Sequence, residues 1–127
     1  QSTDETIVIG QIEKPEGVAA INQIAATDGL DGVFVGPADL AVCLGLTDMN
    51  AAPVLDAMRT VAAAAKHHGI AAMTFTPNAT SANALMEYGI STFSIGSDHA
   101  FALATVKQIA ADLHAVKSLA LRIRTTP

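Results

Sequence analysis

Two short runs, I-V-I-G-Q-I-E-K-P at residues 7–15 and D-G-V-F-V-G-P-A-D-L at residues 31–40, set the architecture. Each begins as a β-rich apolar stretch, reaches a glycine, an acid and a proline, and gives way to a helical pattern. Similar stretches recur, so the strands are expected at Ile7 to Ile12, Gly32 to Val35, Ala71 to Phe75 and Thr92 to Ile95. Strands alternating with helices are the signature of βα units and a parallel sheet.

Working outward, Pro15 opens a helix that places Val18, Ile21, Ile24 and Ala25 on one face and is expected to end near Asp28-Gly29. The longest internal helix is expected over Ala51 to His68, burying Val54, Leu55, Met58, Val61, Ala62 and Ala65, with Gly69 just past its end. Lys66, His67 and His68 in its last turn complement the helix dipole, a capping role rather than a catalytic one. A shorter helix follows Thr80 or Ser81 and stops at Gly89, and a final one runs from after Asp98 to about Arg122. His114 within it reads as an ordinary surface or packing position, and Arg59 as a solvated helix residue.

Four parallel strands leave two unpaired edges. Eight βα units close a barrel of roughly 250 residues, about twice this length. The fold is therefore read as α/β, the C-terminal half of a (β/α)8 TIM barrel, with residues 1–127 as half of one barrel domain. A complete, doubly wound flavodoxin-like domain is the competing architecture, although no Gly-rich phosphate loop supports it.

Composition narrows the function. Of the 127 residues, 50% are apolar, enough for one real core, and the scarce aromatics suit helices packed closely on a sheet. A net charge of -5 with no Lys/Arg run excludes a broad basic face for nucleic acid or an anionic membrane. No apolar run approaches the roughly 20 residues that span a bilayer. The polar start Gln1 to Thr6 has no signal-peptide pattern, and a first residue other than Met fits a processed or truncated chain. Cys43 is the single cysteine, so a reducing, cytoplasmic setting is expected; its neighbours Ala41, Val42 and Leu44 predict a packed core thiol.

Chemistry concentrates where the first two strands end. Parallel α/β folds place function at the C-terminal strand ends, so Glu13 and Asp39 point into one rim. Adjacent strands lie about 4.8 Å apart, close enough for two carboxylates to share one hard divalent cation. The structural alternative makes Glu13 a helix-start acid and Asp39 the N-cap of a helix beginning at Leu40. Gly36-Pro37 favours the functional reading at the second segment, because a stiff turn into a helix start presents backbone N–H groups to an anion.

The stretches I-G-Q-I-E-K-P-E-G-V at 9–18 and D-G-L-D-G-V-F-V-G-P-A-D-L-A at 28–41 closely resemble the HpcH/HpaI family of class II pyruvate aldolases. T-F-T-P at 74–77 and F-S-I-G-S-D at 93–98 extend the resemblance along nearly the whole chain. It implies that Glu13 and Asp39 are metal ligands, for Mg2+, Mn2+ or Co2+. Gln11 then lies near the bound keto acid as a catalytic and substrate-binding residue, and Gly36, Ala38 and Asp39 hold the pyruvate carboxylate through backbone amides. The implied activity is cleavage of a 4-hydroxy-2-oxo acid to pyruvate and an aldehyde through a metal-stabilised enolate. The aldehyde is expected near Phe75 and Thr76, and the protein is expected to be a homo-oligomer with helices exchanged near its C-terminus.

In that family a histidine and an arginine come from the N-terminal half of the barrel, so residues 1–127 are expected to need that half as a partner and to be inactive alone. His99 does not match that histidine. The competing functions are a citrate-lyase-like or malyl-CoA-lyase-like enzyme, and a non-catalytic barrel fragment.

Overall fold

A computed structural model describes residues 6–124, with side chains through residue 117. Residues 1–5, and the last part of the final helix expected to reach about Arg122, lie outside the described side chains. The chain divides into two units, Gln1–Ile95 and Gly96–Pro127.

The first unit runs β1 (Ile9–Ile12), α1 (Pro15–Ala19), α2 (Ile21–Ala25), β2 (Gly32–Val35), α3 (Pro37–Cys43), α4 (Ala52–His68), β3 (Ala71–Thr76), α5 (Ala79–Met86) and β4 (Thr92–Ile95). The strands form one parallel sheet in the order β1-β2-β3-β4, with Ile12 paired to Val35, Val35 to Thr74 and Thr74 to Phe93. Since strand residues alternate between faces, this register puts Ile12, Val33, Val35, Ala72 and Thr74 on one side. All five are buried, against Val54, Met58, Val61 and Ala65 of α4 among others. The other face carries Gln11, Phe34, Met73, Phe75 and Ser94, all exposed or half-buried.

Helices α1, α2 and α3 pack on α4, and α5 on β3, so the helical layer of this unit covers one face only. A doubly wound sheet is covered on both faces and changes strand order, whereas a barrel segment keeps sequential order and turns one bare face inward. The first unit, four parallel strands in one sheet, is part of a barrel, and the flavodoxin-like alternative fails on both counts.

Local signals account for most boundaries. Gly69 takes φ 72° at the C-cap of α4 and returns N–H bonds to Ala65 and Lys66, ending the helix where expected. β1 starts at Ile9 rather than Ile7, because its ladder partner β2 starts at Gly32; before it, Val8 N–H donates to the Asp31 carboxylate at 2.7 Å. β3 continues to Thr76, which pairs with Ile95. The expected first helix is two, joined at Ala20 (φ -92°, ψ 6°), and stops at Ala25 rather than Asp28. α5 starts earlier than expected because Asn78, not Thr80 or Ser81, caps it, accepting the Ser81 N–H at 2.9 Å.

Cys43 is exposed rather than packed in the core. The buried face of α3 is Pro37, Leu40 and Ala41, at helical spacing, and Cys43 falls on the opposite side with Val42, which is 75% exposed. The second unit is described by itself as α6, Asp98–Arg124, whose first turn carries Asp98.

Candidate functional site

Strand alternation starts the site. Gln11 and Glu13 lie two residues apart and project to the same side, while Ile12 between them is 3% exposed in the core. One ladder bond, Gly36 N–H to the Ile12 carbonyl at 3.0 Å, carries the β1–β2 pairing past Val35 and seats Gly36 beside Glu13. Gly36 is the N-cap of α3 and Pro37 its first residue, with a ring that fixes φ for a helix start. Asp39 is thus the third residue of α3 and not its N-cap. Helical side chains lean toward the N-terminus, which turns its carboxylate back over Gly36.

The result is a cradle. A β-carbon on residue 36 would stand 3.1 Å from Glu13 Cγ, 3.4 Å from Glu13 Oε1 and 3.2 Å from Asp39 Oδ2. Two carboxylates from successive βα turns therefore converge on one point that only a glycine leaves open. The Gln11 side-chain amide donates to Glu13 Oε1. Gln11 and Glu13 also border a depression of about 230 Å3.

This donor set fits a hard divalent ion, which commonly takes one or two carboxylates and fills its other positions with water or substrate oxygens. Among the described residues, no group of three or more His, Cys, Asp or Glu side chains is placed to hold a metal. An ion between Glu13 and Asp39 would need water or substrate oxygens for its other positions. Next to it, Leu40 N–H makes the first helical bond of α3, to the Gly36 carbonyl at 3.0 Å, so the N–H groups of Ala38 and Asp39 precede the ladder.

A cavity of about 300 Å3 lies at the C-terminal end of β3, under α5 and the start of α4. Its wall includes Pro37, Leu55, Phe75, Thr76 and Tyr88, so Phe75 and Thr76 share one half-open pocket. Arg59 is an outer-layer residue, paired with Asp56 at 2.6 Å and lying 4.2 Å over the Tyr88 ring. His99 and His114 are exposed in the second unit, and His67 and His68 sit at the C-terminal end of α4. The sequence reading missed the Gln11–Glu13 bond, although an i, i+2 pair on a strand end was its visible signal.

Residues 1–119 match the family model described as HpcH/HpaI aldolase/citrate lyase. The 5-keto-4-deoxy-D-glucarate aldolase of Klebsiella pneumoniae subsp. pneumoniae is 39% identical over 99 residues, 77% of this chain and 39% of that protein. The crystal structure of an HpcH/HpaI aldolase/citrate lyase family protein from Burkholderia cenocepacia superposes with a TM-score of 0.82 at 36% identity, covering 87% of this chain and 44% of that one. An HpcH/HpaI aldolase structure from Desulfitobacterium hafniense gives a TM-score of 0.73 at 28% identity, over 98% and 45% of the two chains. The chain thus spans less than half the length of these relatives.

Proposed function

The chain belongs to the HpcH/HpaI aldolase/citrate lyase family, and from that membership we propose that it supplies the metal-binding half of a carbon–carbon lyase acting on a 4-hydroxy-2-oxo acid. The observation that carries the proposal is the convergence of Glu13 and Asp39 on Gly36. Mg2+, Mn2+ or Co2+ held there would supply Lewis-acid charge beside the keto oxygen of a pyruvate unit.

The chain's own residues do the rest of the binding. Glu13 and Asp39 contribute the carboxylate oxygens, and Gly36 admits the approach that a side chain would block. The keto-acid carboxylate is assigned to the backbone N–H groups of Ala38 and Asp39 at the helix start; the Gly36 N–H expected to join them is already given to the Ile12 carbonyl at 3.0 Å, and Pro37 has none. Gln11, bonded to Glu13 Oε1, is assigned to the same keto acid. The carbon chain of the aldehyde is assigned to the cavity walled by Phe75 and Thr76. Proton transfer is assigned to residues of an N-terminal barrel half. Each absent acid–base group commonly costs roughly 10²–10⁴ in rate, so residues 1–127 alone are expected to turn over far more slowly than a working aldolase.

A single cysteine suits a reducing cytoplasm, and no helix among the described residues is long and apolar enough to cross a membrane. A citrate-lyase-like or malyl-CoA-lyase-like reaction uses the same carboxylate logic and differs in the substrate it accepts.

The test is release of pyruvate from a 4-hydroxy-2-oxo acid in the presence of Mn2+, measured for residues 1–127 before and after adding an N-terminal barrel half. Turnover that appears on mixing and disappears with chelator supports the proposal. Full turnover by residues 1–127 alone, or turnover indifferent to chelator, contradicts it.

A further inference from the structure

We propose that Gln11 is a positioning residue for the metal site, holding Glu13 in its converged rotamer before any ion arrives; the inference rests on Glu13 and Asp39 being the ligands. Its ground is the amide bond from Gln11 to Glu13 Oε1, the same oxygen that stands with Asp39 Oδ2 at the Gly36 cradle. Two carboxylates brought to one point repel each other, and a half-buried Glu13 left unheld would relieve that repulsion by swinging away. An N–H donor fixed on Oε1 opposes the swing without adding a charge that would compete with a cation.

The placement of Gln11 suits this task. It belongs to β1, so its backbone is fixed by pairing with Phe34, while its exposed side chain lies on the bare face of the sheet where no packing depends on it. Each carboxylate oxygen has two lone-pair directions, so Oε1 can keep the amide bond and still offer a position to an ion. Partners of metal ligands commonly change metal affinity by roughly 10–100-fold when removed, because the ligand must then be ordered by the ion itself. The sequence resemblance places Gln11 against the keto acid; the bond to Glu13 gives it work when no keto acid is present.

The experiment titrates Mn2+, without any keto acid, by the electron paramagnetic resonance signal of the free ion. It compares the unaltered protein with Gln11→Ala, Gln11→Met, Glu13→Gln and Asp39→Asn. A weakening of roughly 10–100-fold is expected in Gln11→Ala, with thermal unfolding unchanged. Gln11→Met, similar in length, uncharged and without the donor, should bind no better than Gln11→Ala. Mn2+ affinity unchanged in Gln11→Ala, while both ligand variants lose binding, overturns the positioning role. Affinity unchanged in the two ligand variants as well sinks the metal-site reading beneath it.

Discussion

Glu13 and Asp39 face one another across a missing β-carbon: Glu13 Oε1 and Asp39 Oδ2 lie 3.4 and 3.2 Å from the position it would occupy on residue 36. Gly36 has φ -89°, a conformation open to any residue, so its value lies in the space it leaves rather than in backbone freedom. Gly36→Ala should therefore fold normally while pushing the carboxylates apart. A loss of roughly tenfold in Mn2+ affinity, about 1.4 kcal/mol, is the expected outcome by equilibrium dialysis. Unchanged affinity in a folded Gly36→Ala protein would show that no ion sits in the cradle.

A second prediction concerns the sheet. Thr74 is fully buried on the helix-facing side, and its hydroxyl donates to the Val35 carbonyl across the strands at 2.9 Å. Thr74→Val keeps the shape, removes the donor and sets a methyl group against that oxygen. Loss of a buried hydrogen bond commonly costs about 0.5–1.5 kcal/mol. Urea unfolding should move down by that amount, and an unchanged midpoint would mean that the bond contributes nothing net.

The parts of the fold legible in the sequence were those with strong local chemistry. Gly69 ended α4 where a C-cap glycine should, and the Q-I-E and G-P-A-D-L runs placed both strand ends. Cys43 was misread because neighbouring apolar residues suggest burial, whereas burial on a short helix depends on which side of its axis a residue falls. Asp39 was similarly ambiguous. Read alone it is a good N-cap residue, and only the position of Gly36 and Pro37 ahead of it makes it a first-turn acid aimed back at Glu13. Ala20, where α1 gives way to α2, has no Gly or Pro to announce it. The Gln11–Glu13 bond required knowing both rotamers, which alternation along a strand does not supply.

Assembly is the third prediction. Within α6, Val106, Ile109, Leu113 and Val116 recur at spacings of three, four and three residues, with exposures of 62, 53, 59 and 63%. That is the spacing of a seam that packs against another helix. The protein is expected to form a homo-oligomer through this seam, and Ile109→Asp with Leu113→Asp to give a smaller species by light scattering. A strictly monomeric unaltered protein across micromolar concentrations would remove the basis for the seam.

The most direct measurement is calorimetric titration of Mn2+ into the protein and its Glu13→Gln and Asp39→Asn variants. Each substitution keeps the size of the side chain and removes its charge, so a shared ion loses half of its protein carboxylates in either case. One site per chain in the unaltered protein, weakened at least roughly tenfold in both variants, is the predicted result. Equal affinity in all three proteins would contradict the assignment of Glu13 and Asp39 as the metal-binding pair.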